Sequence, residues 1–184
     1  MSRERTGGEV IVLRGAVILA LFGALLFPHL PVSGQESSGA VSVVLPSGVR
    51  AVWDLEKAYR EATPTRERIC INGLWRWQPA LAKADQIPAA AWGYFKVPGC
   101  WPGISDYLQQ DSQTAFVHPS WKNTKLADVR AAWYQREIAI PAGWAGRRIV
   151  VCAEYLNSYA AVYVDGKKAG EMRFPAGEVA VTSA

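Results

Sequence analysis

Residue patterns that carry catalysis in many enzymes are sparse in this chain. Histidine occurs twice, and His118 is the one that lies outside the N-terminal segment. Ser-His-Asp triads and metal sites built on paired histidines therefore lack their parts. The sequence has no Gly-x-Ser-x-Gly elbow, no phosphate-binding glycine loop before a helix and no His-Glu-x-x-His motif. We interpret His118 as a loop residue and expect neither a metal nor a cofactor.

Two glutamates are candidates for glycoside hydrolysis, because this reaction needs two carboxyl groups about 5 to 9.5 Å apart. Glu137 and Glu154 could reach this separation on neighbouring strands. Exposed strand glutamates that pair with arginines such as Arg136 or Arg147 are the commoner arrangement. We therefore assign no catalytic residue and expect this chain alone to cleave no glycoside.

Tryptophan is the abundant residue type that could bind a ligand, since the chain has eight tryptophans. Indole faces stack on the apolar C–H faces of sugar rings, but large aromatic side chains also fill protein cores. Trp75, Trp77 and Trp133 lie in strand-like segments, so we expect them in the core. Trp101 and Trp121 lie in an irregular segment and are our candidates for contact with carbohydrate.

The elements that must position these residues are short β-type segments separated by Gly, Pro, Asn and Asp. Many short strands at this spacing predict an all-β sandwich. A short helix capped by Asp54 is the one expected helical element, and Pro64 would end it. A long loop is expected over residues 101–130. The predicted strands span residues 68–77, 92–97, 132–140, 147–155, 158–164 and 168–174.

Two of these strands carry a more specific pattern. Residues 158–164 alternate along the chain and end at Asp165-Gly166, a dipeptide typical of a type I′ hairpin turn. Residues 149–153 form a continuous apolar run, which predicts a central strand covered on both faces. Cys152 in this run is expected to be a buried thiol.

The N-terminus has the pattern of a signal peptide. Arginines precede the 13-residue apolar run of residues 15–27 (GAVILALFGALLF), which is too short to span a bilayer. Two prolines follow, and residues 32–34 (VSG) offer a cleavage site after Gly34, with a site after Ala40 as the second choice. An uncleaved membrane anchor is the alternative. We predict a signal peptide over residues 1–34, a lead-in with the short helix over 35–66, and export to the periplasm or the extracellular space without a remaining membrane anchor.

Charge and cysteine content exclude further classes. The formal net charge is +4, and no basic cluster with interleaved aromatics is present, so we expect no nucleic-acid partner. Cys70, Cys100 and Cys152 are an odd set without a Cys-x-x-Cys pair, so they form neither a disulfide framework nor a zinc site. One disulfide among the three remains open.

Four motifs in order resemble the N-terminal domain of glycoside hydrolase family 2, which includes β-galactosidases, β-glucuronidases and β-mannosidases. They are residues 71–77 (INGLWRW), 97–101 (VPGCW), 133–138 (WYQREI) and 157–166 (NSYAAVYVDG). The last is similar to the family's signature strand and hairpin, with Asn157, Ser158, Asp165 and Gly166 as its structural residues.

This resemblance covers residues 67–184 and implies a jelly-roll sandwich of the galactose-binding type. It also implies that the last strand or strands of the sandwich are missing, and that the catalytic glutamates belong to a (β/α)₈ barrel absent from this chain. We therefore expect a non-catalytic, carbohydrate-binding type of module from an exported family 2 enzyme, with carbohydrate and a barrel domain as partners. A free-standing exported carbohydrate-binding module is the alternative.

Overall fold

The computed structural model describes the backbone of residues 11–19 and, with side chains, residues 42–80, 86–99, 114–121, 123–125, 128–129, 131–156 and 159–182. Eleven strands occur in this part of the chain. They are β1 (Ile11–Leu19), β2 (Arg60–Ala62), β3 (Glu67–Ile69), β4 (Gly73–Pro79), β5 (Gly93–Val97), β6 (Ala115–Phe116), β7 (Ala132–Ile140), β8 (Val150–Ala153), β9 (Tyr159–Val164), β10 (Lys167–Arg173) and β11 (Gly177–Ala180). Short 3₁₀ turns lie at Pro119–Trp121 and Ala142–Trp144.

Seven strands form one sheet in the order β10-β9-β1-β7-β4-β5-β6. Strands β8 and β11 form a second sheet, and β2 and β3 pair with each other. All pairings among the described strands are antiparallel. The expected all-β class is thereby confirmed.

The core lies on both faces of the large sheet. On one face, residues of β9 and β10 such as Val162 and Met172 pack against Val179 of β11 and against β8. Farther along that sheet, Trp77 and Phe95 form a second cluster, with ring centres 5.9 Å apart. The third cluster contains Trp133, which points to the opposite face because side chains alternate along β7.

The expected core tryptophans are confirmed. Trp75 is 6% exposed, Trp77 is fully buried and Trp133 is 1% exposed. Full burial of indole rings removes a large apolar area from water, which makes them main contributors to the stability of the sheet.

The hairpin is also confirmed. Val164 pairs with Lys167, which leaves Asp165 and Gly166 as the two turn residues. Their φ angles are +48° and +82°, as a type I′ turn requires at both positions.

The lead-in differs from the expected short helix. Asp54 does cap a turn, since its Oδ1 accepts a 3.0 Å hydrogen bond from the N–H of Glu56. The chain then becomes extended as β2 and pairs with β3. A helix this short gains few backbone hydrogen bonds for its nucleation cost, so pairing with β3 prevails.

The apolar run at residues 149–153 also differs from expectation. Strand β8 belongs to the two-stranded sheet and is only partly buried. Cys152 is exposed, because the side of β8 that points away from the large sheet faces solvent. Cys70 is half-buried, and neither of these two cysteines forms a disulfide.

Strand β1 has an unexpected position. Ile11–Leu19 lies between β7 and β9 and pairs with both, so that Gly15 is opposite Arg136 on one side and Val164 on the other. This segment falls inside residues 1–34, the predicted signal peptide. Cleavage after Gly34 would therefore remove the strand that joins the two halves of the large sheet.

Candidate functional site

Of the two tryptophans predicted to contact carbohydrate, Trp121 is described and Trp101 lies outside the described residues. Trp121 is half-buried at the end of the Pro119–Trp121 turn. Its indole N–H donates a 2.9 Å hydrogen bond to the carbonyl of Ala91, which precedes β5. The indole nitrogen is thus engaged within the protein, and only the ring remains as a contact surface.

Of the four structural residues of the predicted hairpin motif, two are described by the structure and two are not. Asp165 and Gly166 form the β9–β10 turn described above, and Asn157 and Ser158 lie outside the described residues. Both turn residues are exposed.

The two glutamates considered for hydrolysis are both exposed strand or strand-end residues. Glu154 accepts a 2.6 Å hydrogen bond from the guanidinium of Arg68. Arg147 instead lies near Glu67, with 3.5 Å between Nη1 and Oε2. Glu154 therefore belongs to a surface ion pair, although its arginine is not one of the two that the sequence suggested.

The most unusual polar group is the side chain of Arg136. It lies on β7 and is only 7% exposed, and its Nε and Nη1 groups are buried with no hydrogen-bond partner in the part of the chain that the structure describes. Alternation along β7 places it on the same face as Ala132 and Tyr134, which belong to a hydrophobic cluster. A cation without a hydrogen-bonded counter-ion in such surroundings is costly, because burial removes its hydration.

Two neighbours hold the guanidinium in place. Its central carbon lies 5.6 Å from the centre of the Trp75 ring, within the range of a cation–π contact. The second neighbour is Gly73, where a Cβ atom would lie 3.1 Å from both Nη1 and Nη2. Glycine is required there for a second reason, since its φ of +128° is one that other residues rarely adopt.

Arg136 borders an open cavity of about 280 Å³. The lead-in forms one wall, where the indole N–H of Trp53 donates to the carbonyl of Cys70 at 3.1 Å. The N–H of Cys70 in turn donates to the carbonyl of Tyr59 at 2.9 Å. These bonds fasten the lead-in beside β3. The cavity is lined by Val52, Trp53, Asp54, Lys57, Ala58, Tyr59, Cys70, Asn72 and Arg136.

The charges around this cavity do not neutralise Arg136. The carboxylate of Asp54 lies 3.2 Å from the ammonium group of Lys57, and hydrogen bonds from Lys57 and the Glu56 backbone lower the pKa of Asp54. Burial lowers the pKa of Arg136 to about 10, so the guanidinium is still a cation at neutral pH. The cavity thus has an excess of positive charge beside Asn72 and two aromatic side chains.

The Nε and Nη1 groups of Arg136 have almost no accessible surface, so a ligand in the cavity could not reach either of them. Among the described residues, no group of three or more His, Cys, Asp and Glu side chains could hold a metal ion. The described segments also include no helix with the length and apolar character needed to cross a membrane.

Sequence reasoning considered Arg136 only as a surface partner for a glutamate. The sequence does contain a pattern that predicts its burial. Arg136 follows Ala132 and Tyr134 at intervals of two residues in β7, so the three side chains point to the same face of the sheet. The lead-in that covers it has no sequence pattern that predicts the cavity.

No model of a known protein family matches this chain, and no solved structure matches it.

Proposed function

We propose that this chain is the non-catalytic, carbohydrate-binding type of module of an exported family 2 glycoside hydrolase, and that its sandwich is a jelly roll of the galactose-binding type. The observation that carries the proposal is the placement of the four motifs in an all-antiparallel fold. Residues 71–77 run into β4, 97–99 end β5, 133–138 lie within β7, and 159–166 form β9 and its turn. The three non-hairpin motifs thus lie on adjacent strands of one sheet.

The surroundings of two described glutamates, Glu154 and Glu171, support a binding role over a hydrolytic one. Glycosidases hold two carboxyl groups around a pocket and tune the pKa of at least one. Glu154 is held by Arg68 on the surface, and Glu171 contacts Lys168, which lowers the pKa of Glu171. In this proposal, hydrolysis belongs to a (β/α)₈ domain of the parent enzyme.

Electrophoresis of the full chain through gels that contain neutral or acidic polysaccharides tests this function. The proposal predicts slower migration in at least one such gel than in a gel without polysaccharide, relative to a non-binding protein of similar charge. Equal relative mobility in every gel contradicts it.

Export is a further part of the proposal. It is supported by the apolar run at residues 15–27 and the small residues before Gln35.

A further inference from the structure

We propose that removal of residues 1–34 opens a strand-acceptor site between β7 and β9, and that this site binds an extended aliphatic segment of another polypeptide. The inference rests on the proposed cleavage after Gly34. It goes beyond carbohydrate binding, because it names a second site and a peptide as its ligand. In recognition by strand addition, main-chain hydrogen bonds supply the affinity and alternate side chains supply the specificity.

The first argument is the position of β1 in the large sheet. Its nine residues pair with Ala132–Ile140 of β7 on one side, and residues 15–18 also pair with β9 on the other. It is the strand that connects the β9–β10 pair to the rest of this sheet. Loss of β1 therefore exposes backbone N–H and C=O groups on two facing strand edges, and such edges readily pair with another chain.

The second argument is that the gap cannot simply close. β1 runs antiparallel to both neighbours, so β7 and β9 run parallel to each other. They lie two strand spacings apart, which is about 9.5 Å. Direct pairing would require a parallel ladder and a shift of half the sheet, whereas all pairings among the described strands are antiparallel. An inserted antiparallel strand restores both ladders without that shift.

Aromatic side chains across the gap hold the two halves of the sheet at this separation. The rings of Trp133 on β7 and Tyr163 on β9 are 5.8 Å apart, and both pack in one cluster with Ala161. Trp133 is almost completely buried there. This contact joins β7 to β9 directly, so it does not require residues 1–34 and favours an open gap in the mature chain.

The segment that the structure holds in the gap defines the chemistry of the ligand. It is nine residues long, mainly aliphatic and without proline (IVLRGAVIL). Gly15 lies opposite Arg136 and Val164, and Ala16 lies opposite Tyr163. Bulky neighbours favour small residues at these two positions, because side chains opposite each other in a sheet share the same space. The ligand is thus an extended aliphatic segment with small residues near its centre.

The source of this segment is another polypeptide. Cleavage after Gly34 removes Ile11–Leu19 from the mature chain, so a second mature copy does not carry this segment. An uncleaved chain fills its own gap, because its β1 is covalently attached and therefore present at a high effective concentration. The site is open only after cleavage.

Fluorescence anisotropy with a labelled peptide tests the inference. The probe is residues 11–19 with lysines added at one end for solubility, and the proteins are full chains. Val17→Pro should empty the gap, because Val17 pairs with both β7 and β9 and proline removes a ladder N–H. We expect this variant to bind the probe at least about 10-fold tighter than the unchanged chain, in which β1 competes.

Ile11→Pro is the matched control. Ile11 is the first residue of β1, opposite Ile140 of β7, and proline is tolerated at the first position of a strand. This control should bind the probe as weakly as the unchanged chain does. A probe that carries Val17→Pro should bind the emptied gap at least about 10-fold more weakly than the original probe, since it lacks a ladder hydrogen bond.

Hydrogen exchange locates the bound probe. It should slow exchange of amides in β7 and β9 and leave the amides between β4 and β5 unchanged. If Val17→Pro does not fold, the full chain is folded with β1 in place and then cut at a protease site introduced after Gly34. The labelled probe should replace residues 1–34 in the cut protein, and the Val17→Pro probe should not.

Three results would overturn the inference: no binding of the probe by the emptied or the cut protein, equal binding of the two probes, or a dimer of the secreted mature chain that the probe does not dissociate. Failure of the proposed export is distinguishable from these. A secreted chain that still carries residues 11–19 contradicts cleavage after Gly34, whereas the Val17→Pro and cut-protein measurements test the gap itself.

Discussion

The guanidinium of Arg136 lies 5.6 Å from the centre of the Trp75 ring, on the buried face of the large sheet. This cation–π contact stabilises the buried guanidinium by about 0.5 to 2 kcal/mol. It thereby offsets part of the free-energy cost of burying Arg136. Two N–H groups of this guanidinium are buried without a hydrogen-bond partner among the described residues, so the burial of Arg136 costs stability.

The first prediction concerns this cost. Arg136→Met should leave the free energy of unfolding of the ligand-free chain unchanged or raise it by up to about 4 kcal/mol, because an apolar side chain replaces a desolvated cation. Urea denaturation followed by tryptophan fluorescence measures this quantity. A loss of several kcal/mol would show that Arg136 has structural partners among the residues that the structure does not describe.

The second prediction concerns the β9–β10 turn. Gly166→Ala should lower the free energy of unfolding by about 1 kcal/mol, since alanine is disfavoured at a φ of +82°. Gly143→Ala is a matched control, because a Cβ meets no atom within 4 Å at either glycine and Gly143 has no left-handed φ. Equal unfolding midpoints in urea for the two variants would contradict the type I′ turn.

The third prediction concerns the predicted carbohydrate contacts. Trp121→Ala and Trp101→Ala should each weaken retention by polysaccharide and leave the far-ultraviolet circular dichroism spectrum unchanged. Trp121→Phe keeps an aromatic ring but removes the 2.9 Å bond to Ala91, so it separates the ring from the hydrogen bond. If both alanine variants unfold, these indoles are core residues and the assignment is wrong.

The fourth prediction concerns β1 and export. N-terminal sequencing of the secreted protein should give Gln35 or a neighbouring residue. In the mature chain, amides of β7 and β9 that face β1 should then exchange with solvent faster than in the full chain, because their pairing strand is gone. Amides between β4 and β5 serve as the internal control. An intact Met1 on a soluble cytoplasmic protein, or unchanged exchange in β7 and β9, would contradict this prediction.

Local patterns predicted the strands well where one physical rule dominates. Alternation and turn chemistry located β9, β10 and the Asp165–Gly166 turn, and β5 and β7 were found with errors of at most one residue at their ends. Burial of Trp75, Trp77 and Trp133 followed from the same alternation.

The differences arise where tertiary contacts decide. An apolar run cannot show whether its strand joins a large or a small sheet, and β8 joins the small one. Residues 54–62 have helical spacing, but the partner that makes Arg60–Ala62 a strand lies several residues later, in β3. The cavity beside Arg136 needs three separate segments, the lead-in, the connection between β3 and β4, and β7, so no local pattern predicts it.

The central claim is that this chain binds carbohydrate and does not hydrolyse it. Proton NMR of an acidic oligosaccharide mixed with the full chain tests both parts, because saturation transfer reports contact and new anomeric signals report cleavage. The account predicts saturation transfer to the oligosaccharide, reduced in Trp121→Ala, and no new anomeric signals above the buffer rate. Absence of transfer to this and every other oligosaccharide tried, or cleavage that Glu137→Gln or Glu154→Gln abolishes, would contradict it.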